Sequence, residues 1–439
     1  MMLNYKAFIH GDKVVPASWY TGNDIRAHFD TIASWGFNAV RVCLDVMEEG
    51  GDTAAMYRAT RRMVQQADSA GLRVMLLVHP LFDEYWTAYT AGLMRRLADL
   101  PALWAYDLLN EPLYFDPVKE RDKQEAVRIV EQWRLLVRRN APHQLFTVAT
   151  AEPLEVMSWD PSLLPVDFVE MHTYHPLRVQ AEMWWYSRYC HKPWMVGEIG
   201  LPADGDSVSY TAQAQFMGDT YTYARRHGAA GYGWWEFQDY PAGVNFEAQY
   251  TGLRDNTGRR KLAADMPNYL RGMCLGVGVD EDALPPGNYY NMLVYTDLTV
   301  DGTVTDQWGN PIEGAVVRGW NDNWSVGVNT FTDSLGHFCL VTNDSCTHFA
   351  LSAPHHTCLR FDRHGLYPNN IPLCHPTREY QQIPLLGWGD TMATQPSNLS
   401  IISILPSKRS NLPPVKPLYQ THLDTLVLEW RPYRICCNR

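Results

Sequence analysis

The chain has 439 residues, of which 46% are hydrophobic and 19% are charged, a composition that fits two or three globular domains. The formal net charge of −11 argues against a nucleic-acid-binding protein, because phosphate backbones are bound by clustered Lys and Arg side chains. Nine cysteines are too few for a disulfide scaffold, and none forms a CxxC pair with the spacing of a zinc site.

The chain is expected to be soluble and not to act at a membrane. Its first residues, MMLNYKAFIHGDK, contain no apolar signal-peptide core, and no run of 18 apolar residues occurs anywhere. A secreted or periplasmic location is favoured, with the signal peptide not present in this chain. The sequence leaves the oligomeric state and any disulfide pairing open.

The first 270 or so residues alternate between short apolar runs, which predict buried strands, and longer amphipathic stretches, which predict helices. A first strand is placed around Phe8–Val15, where the pattern is least regular. The later predicted strands are Phe37–Leu44, Leu72–His79, Leu103–Leu109, Leu145–Thr150, Val166–Thr173, Trp194–Ile199 and Gly231–Phe237. Helices are predicted between them, for example around Val118–Asn140 and Tyr210–His227.

This alternation predicts an α/β fold whose parallel sheet is covered by helices on both faces. Eight such units match the size of a (β/α)8 barrel, a TIM barrel, over residues 1–275. An open, doubly wound sheet is the alternative. It is less favoured because no GxGxxG or GxxxxGK[ST] motif follows a strand.

The pattern changes after the barrel. Residues 276–294, which begin with GVGVDEDALPPGNYYN, have the composition of a linker. Residues 295–360 alternate apolar and polar positions between Gly and Asn turns, which predicts a small all-β sandwich. Residues 361–439 are rich in proline and predict an extension that wraps over the other domains or is partly disordered.

Polar residues at the C-terminal ends of the predicted strands are the candidates for a site, because barrel enzymes carry their active sites there. Glu111 and Glu198 follow the fourth and seventh strands, and both carboxyl groups can point into one pocket. Hydrolysis of a glycosidic bond needs such a pair. One carboxyl gives a proton to the leaving oxygen, and the other, ionised, attacks the anomeric carbon.

Residues 25–265 resemble the glycoside hydrolases of clan A, especially family five, which contains cellulases and mannanases. The motifs that carry the resemblance are LLNEP (Leu108–Pro112), HTYHP (His172–Pro176), VGEIG (Val196–Gly200) and WWEF (Trp234–Phe237). The resemblance implies a retaining hydrolase of β-glycosidic bonds in a polysaccharide or oligosaccharide. It also implies double displacement with no cofactor and no metal.

The resemblance assigns roles to eight residues of this chain. Glu111 would be the acid/base and Glu198 the nucleophile. The six substrate-binding candidates are Arg41, His79, Asn110, His172, Tyr174 and Trp235. Among these, Arg41 and Tyr174 would orient Glu198, Asn110 would bind the sugar 2-hydroxyl, and Trp235 would lie under the sugar. Trp234 and Trp235 point opposite ways in a strand, so alignment of the motif alone decides between them.

Each motif also has a structural interpretation. A Glu before Pro is often a surface turn, and the Glu in VGEIG can be a buried, paired carboxylate. The two motifs together, at two strand ends of one barrel pattern, favour catalysis. His172 and His175 suggest a metal, but residues three apart in a strand face opposite sides. The alternatives are therefore a non-catalytic carbohydrate-binding barrel and a metal-dependent hydrolase on the same fold.

The predicted sandwich resembles the carboxypeptidase regulatory-like, or transthyretin-like, domains. The matching pieces are DGTVTDQWGNPIEGAVV and TDSLGHF. This resemblance implies a fold and no activity. Such a module can bind carbohydrate or brace the barrel, and bracing is the favoured interpretation.

Overall fold

The computed structural model describes residues 1–46, 51–176, 178–241, 249–279, 298–306, 309–323, 326–342, 345–362, 382–385 and 403–406. Most of the predicted linker and of the predicted C-terminal extension lies outside the described residues. The chain divides into two compact units. Unit 1 comprises Met1–Phe115, Val127–Glu152 and Leu164–Leu284, and unit 2 comprises Asp116–Ala126, Pro153–Leu163 and Pro285–Arg439. The predicted domain boundaries stay predictions.

Unit 1 contains a closed barrel of eight parallel strands. They are β1 (Met2–His10), β3 (Ala39–Val46), β4 (Arg73–Leu77), β5 (Leu103–Asn110), β6 (Leu145–Thr150), β7 (Val169–His172), β8 (Trp194–Glu198) and β9 (Gly231–Trp234). Each strand pairs with the next, and the pairing of β1 with β9 closes the sheet. The predicted (β/α)8 barrel is thus confirmed, and the open sheet is excluded.

The first strand lies earlier in the chain than the sequence pattern predicts. β1 begins at Met2 and ends at His10, and β2 (Lys13–Pro16) returns antiparallel to it. Gly11, at φ +56°, and Asp12 form the two-residue turn between paired His10 and Lys13. The predicted span Phe8–Val15 was wrong because it runs across this hairpin.

Helices lie between the strands. They are α1 (Ile25–Ser34), α2 (Thr53–Ser69), α3 (Glu84–Leu97), α4 (Pro112–Phe115), α5 (Lys123–Asn140), α6 (Val179–Tyr189), α7 (Tyr210–Arg226) and α8 (Met266–Leu270), with 3-10 turns at Pro153–Met157 and Leu262–Asp265. Side chains cap several of them; Asp52, for example, accepts hydrogen bonds from the N–H groups of Ala54 and Ala55. None of the helices in the described part of the chain is long and apolar enough to cross a membrane.

The inside of the barrel changes from apolar to polar along the strands. Near their N-terminal ends, buried side chains form a hydrophobic cluster of Met2, Met75, Ala105, Phe168 and Met195. Two residues further along three of these strands, the buried residues are Asn4, Asp107 and Glu170. Because side chains alternate between the faces of a strand, these positions share the inner face. The barrel therefore presents buried polar groups below its C-terminal mouth.

Unit 2 contains two small sheets. The first pairs β13 (His337–Thr342), β16 (Gln382–Leu385) and β17 (Ser403–Pro406) with β10 (Leu298–Asp306). The second has the order β12 (Gly327–Phe331), β11 (Val316–Trp320), β14 (His348–Ser352), β15 (Leu359–Asp362). Side chains from both sheets, such as Val304, Val317 and Phe349, share one hydrophobic cluster. The structure has β-sheets after the barrel as predicted, whereas the sandwich and its regulatory-like family stay predictions.

A buried ion pair holds three segments of unit 2 together. The Lys123 ammonium donates to Asp160 Oδ2 at 2.9 Å and to the Ala353 carbonyl at 3.1 Å. The side chains of Lys123 and Asp160 are 4% and 1% exposed. The segments 116–126 and 153–163 of unit 2 therefore contribute one charge each, and Ala353, directly after β14, contributes the carbonyl.

Replacing Asp160 by Asn should destabilise unit 2, because it leaves a buried ammonium without its counter-charge. The expected loss in the free energy of unfolding is about 3–5 kcal/mol. Urea unfolding followed by tryptophan fluorescence measures it, since Trp159 is buried beside this pair. The control is Glu131→Gln, which breaks an exposed pair with Arg134 and should leave the free energy of unfolding nearly unchanged. Equal losses from both variants would contradict the prediction.

Candidate active site

Glu111 lies at the point where β5 ends and α4 begins. Its backbone is in the left-handed region, at φ +42°, and its N–H donates to the Ala149 carbonyl on β6 at 2.7 Å. This conformation is uncommon for a residue other than glycine and concentrates at functional sites. The side chain is 15% exposed. Glu111 thus directly follows the fourth barrel strand, as the sequence predicts. Its carboxyl group is partly accessible to solvent.

Glu198 is the last residue of β8, and both of its carboxylate oxygens are held. Arg41 Nη1 donates to Oε1 at 2.5 Å, and the Tyr174 hydroxyl donates to Oε2 at 2.5 Å. Burial disfavours the ionised form, but the nearby His172 and Arg41 charges and these hydrogen bonds outweigh it and lower the pKa of Glu198. Glu198 is therefore an oriented, ionised carboxylate.

His172 lies between the two carboxyl groups. Its Nδ1 is 2.8 Å from Glu111 Oε1 and 3.6 Å from Glu198 Oε2. One potential ligand atom from each of the three residues lies within 4.8 Å of the others. Burial lowers the pKa of His172, but the Glu198 charge, the hydrogen bond to Glu111 and the adjacent Glu170 carboxylate outweigh it and raise the pKa to about 10. His172 is therefore an imidazolium that donates from Nδ1 to Glu111.

The pKa of Glu111 shifts in the opposite direction from that of Glu198. Burial raises the pKa of Glu111 above its usual range, and the hydrogen bond and charge of His172 offset this only in part. Two neighbouring carboxyl groups thus differ in protonation, Glu111 holding a proton at a pH where Glu198 is ionised. A pair whose pKa values are separated in this way can act as acid and base in one reaction.

Arg41 links Glu198 to the polar interior of the barrel. The guanidinium is buried and donates to Asp107 Oδ2 from Nη2 at 2.6 Å and from Nε at 3.1 Å. It also donates from Nη2 to Asn110 Oδ1 at 2.7 Å and from Nη1 to Asn4 Oδ1 at 3.0 Å. Four of the predicted site residues, Arg41, Asn110, His172 and Tyr174, therefore belong to one connected network with the two Glu residues.

Sequence reasoning missed Asn4, Asp107 and Glu170, which surround Arg41. Asn4 Nδ2 also donates to the Gly197 carbonyl at 2.9 Å and so connects β1 to the strand of the second carboxylate. The available signal was a polar residue inside an apolar run, as in MMLNYKAF and AYDLLN. A buried polar residue of this kind needs a hydrogen-bond or ionic partner, so its presence in an apolar run indicates a polar cluster inside the fold.

The structure separates the two adjacent tryptophans. Trp234 is buried, and its indole N–H donates to the Thr251 carbonyl at 3.0 Å. Trp235 is partly exposed, and a cis peptide bond joins it to Glu236. Of the two, Trp235 is thus the ring that a ligand can reach.

His79 lies apart from the carboxyl network. Its ring is exposed and stacks on Trp86, with 3.9 Å between ring centroids and 14° between planes. Among the described residues its hydrogen-bond partner is the neighbouring Pro80 carbonyl, at 3.2 Å. Within the described part of the chain, no hydrogen bond or ion pair joins His79 to Glu111 or Glu198.

Within the described residues, Glu111, His172 and Glu198 are the group of carboxylate and imidazole ligands close enough to share a metal ion. A histidine that ligates a metal must be neutral. Without a bound metal, the pKa of His172 is about 10, and the ring then serves as a hydrogen-bond donor to Glu111.

A closed barrel whose mouth holds an acidic and an ionised carboxyl group has the architecture of a glycoside hydrolase. The family model described as "Cellulase (glycosyl hydrolase family 5)" matches residues 6–240, more than half of the chain. The chain belongs to this family, and the protein is a glycoside hydrolase.

Comparison with solved structures finds similar chains at low sequence identity. A GH5_18 protein from Bifidobacterium longum subsp. infantis aligns with a TM-score of 0.50 and 15% identity, over 66% of this chain and 79% of that one. The exo-beta-1,4-mannosidase Op5Man5 from Opitutaceae bacterium strain TAV5 aligns with a TM-score of 0.49 and 20% identity, over 65% and 61%. A comparison with curated protein sequences gives no match.

Proposed function

We propose that the protein is a retaining hydrolase of β-glycosidic bonds in a polysaccharide or oligosaccharide, of cellulase or β-mannanase type. The observation that supports this most is that carboxyl oxygens of Glu111 and Glu198 lie within 4.8 Å of each other. Carboxyl pairs are about 5–5.5 Å apart in retaining enzymes and about 6.5–9.5 Å apart in inverting ones. The gap in this site favours direct attack by a carboxylate over attack by an interposed water.

In the first step, a Glu198 oxygen attacks the anomeric carbon while the bond from that carbon to the leaving oxygen breaks. Glu111 gives its proton to the leaving oxygen. His172 donates to Glu111 Oε1, and within the described residues Oε2 has no hydrogen-bond partner. Oε2 is therefore the oxygen that carries the transferable proton. The product of this step is a covalent glycosyl ester of Glu198.

In the second step, the now ionised Glu111 takes a proton from water, and the water oxygen attacks the same anomeric carbon. The ester bond to Glu198 breaks and restores the carboxylate. Arg41 and Tyr174 receive it in its original position, each hydrogen-bonded to one oxygen. Two inversions leave the anomeric configuration unchanged.

The substrate-binding roles are proposed on the same geometry. Asn110 Oδ1 is occupied by Arg41, so its Nδ2 donors are the groups left for the sugar 2-hydroxyl. The partly exposed Trp235 offers an aromatic face for the sugar at the cleavage point. His79, stacked on Trp86, is proposed to contact the substrate at the rim.

Proton NMR of the first anomeric product tests the mechanism. The substrates are a panel of β-glucans, β-mannans and aryl β-glycosides, and we expect the β-anomer to appear before mutarotation. An initial α-anomer would show inversion and reject the double displacement. Absence of hydrolysis across the panel, with ligand binding retained, would instead favour a carbohydrate-binding barrel. Activity lost on treatment with EDTA and restored by a divalent metal would favour the metal-dependent alternative.

A further inference from the structure

Glu170, on β7, is a carboxylate buried without hydrogen bonds. Its exposed fraction is 0%, and neither side-chain oxygen has a hydrogen-bond partner among the described residues. Burying a charged group costs several kcal/mol unless nearby charges compensate for it. Neighbouring cations must therefore account for the presence of Glu170 in the barrel interior.

Two cations lie against Glu170, and each also contacts a proposed catalytic carboxyl. Glu170 Oε1 is 3.3 Å from Arg41 Nε and 3.6 Å from His172 Nε2. On their other sides, Arg41 Nη1 is 2.5 Å from Glu198 and His172 Nδ1 is 2.8 Å from Glu111. Glu170 thus lies behind both cations and can act on both carboxyls through them.

The glycine before Glu198 makes room for this arrangement. A Cβ atom added to Gly197 would overlap Glu170 Oε1, so no larger residue fits there without displacing the carboxylate. Glu170 and Gly197 lie on neighbouring strands whose register shifts between Met171 and His172. Gly197 of the VGEIG motif is therefore required for Glu170 to pack in this position.

We propose that Glu170 is a positioning residue that holds the imidazolium of His172 and the guanidinium of Arg41 against the catalytic pair. This inference rests on the proposed roles of Glu111 and Glu198. Glu170 touches neither the substrate nor the reacting atoms. Its negative charge keeps His172 protonated and opposes ionisation of the neighbouring carboxyls.

Charged or titratable groups surround His172. Glu111, Glu170 and Glu198 lie within 3.6 Å of its ring nitrogens and raise its pKa. Asp107 interacts with it electrostatically, and Arg41 and Tyr174 both contact its partner Glu198. Removing one negative charge from this set lowers the pKa of each remaining group. A neighbouring carboxylate is no longer repelled by that charge, so it ionises more easily, and a neighbouring cation is no longer stabilised by it, so it loses its proton more easily. As long as His172 stays protonated while Glu111 ionises, the pKa of both groups therefore moves in the same direction.

The test is the isosteric variant Glu170→Gln, assayed for kcat/KM against pH on an aryl β-glycoside. We expect the alkaline limb, set by loss of the Glu111 proton, to move down by about one pH unit, which is about a tenfold loss of kcat/KM above that limb. NMR titration of ¹⁵N-labelled histidine should show the His172 signal, assigned through His172→Gln, titrating at lower pH than in the wild type. Glu170→Asp keeps the charge and should restore part of both shifts.

Asp167→Asn is the matched control, since Asp167 precedes β7 and contacts Arg138 and the Phe146 amide, away from the two Glu residues. Its pH profile should match that of the wild type. A Glu170→Gln profile and a His172 titration that both match the wild type would overturn the inference. Glu198→Ala is assayed in parallel. If Glu198→Ala keeps full activity, the proposed function fails; if it is inactive while Glu170→Gln is unshifted, only the role of Glu170 fails.

Discussion

Glu198→Ala should abolish turnover of every β-glycoside substrate. Without the carboxylate, no group remains to attack the anomeric carbon and form the covalent intermediate. The expected loss in kcat is on the order of 10⁶-fold, the scale of loss when the serine nucleophile of a protease is removed. Initial rates on an aryl β-glycoside measure the effect, and circular dichroism checks that the variant is folded. The Arg41 and Tyr174 donors would then face an empty space rather than a carboxylate.

Azide tests the role of Glu198 independently of the rate. The alanine leaves a cavity in which azide can attack the anomeric carbon directly, giving a single inversion and an α-glycosyl azide. Glu131→Ala, a change at an exposed pair with Arg134, is the control and should keep wild-type rates without reacting with azide. A β-glycosyl azide from Glu198→Ala would assign the nucleophile to another residue, and wild-type activity would reject the catalytic pair.

The barrel and its two carboxyls could be predicted from the sequence because their signals are local. Alternating apolar runs and amphipathic stretches give the periodicity and length of the strands and helices directly. Glu111 directly follows one such run, and Glu198 ends another. The first strand was misplaced because short apolar pairs, Phe8–Ile9 and Val14–Val15, lie on both sides of the Gly11 turn and resemble one strand. Hydrophobic periodicity indicates which segments are buried, but it indicates the position of a tight turn between two strands less clearly.

The polar interior could not be predicted, since it depends on which faces meet when the sheet closes. Asp107 and Asn110 are three apart and would face opposite sides of a regular strand. A register shift between them lets both contact Arg41. The pairing of Asn4 with Arg41 likewise follows from the register of β1 with β3. Such irregularities are properties of the strand pairs, so no single motif contains them.

The protonation states also lie beyond the motifs. The resemblance names His172 as a residue that lines the site, whereas the structure places it between both carboxyls with its other nitrogen facing Glu170. Burial raises the pKa of Glu111 despite His172, whereas the charges of His172 and Arg41 and the hydrogen bond from Tyr174 outweigh burial and lower the pKa of Glu198. The division of labour between two chemically similar side chains is therefore a consequence of their surroundings.

Glu111→Ala should separate the two chemical steps. An activated aryl β-glycoside has a good leaving group that needs little protonation, so the first step should survive. The second step needs a general base to activate water, so the glycosyl ester of Glu198 should accumulate and produce a burst of the aryl product. The steady-state rate should fall by about 10²–10⁴-fold, the contribution of a positioned acid–base group. Stopped-flow absorbance measures the burst, and mass spectrometry of the intact protein detects the ester.

Azide should restore turnover in Glu111→Ala, because an anion that is already ionised needs no general base. Attack on the glycosyl ester is the second inversion, so the product should be the β-glycosyl azide, the opposite anomer from that expected with Glu198→Ala. Poorly activated substrates such as oligosaccharides should not be rescued, since their first step still requires the Glu111 proton. An α-glycosyl azide from Glu111→Ala would exchange the two roles. A loss that is equal for aryl glycosides and oligosaccharides, with no burst, would show that Glu111 is not the acid.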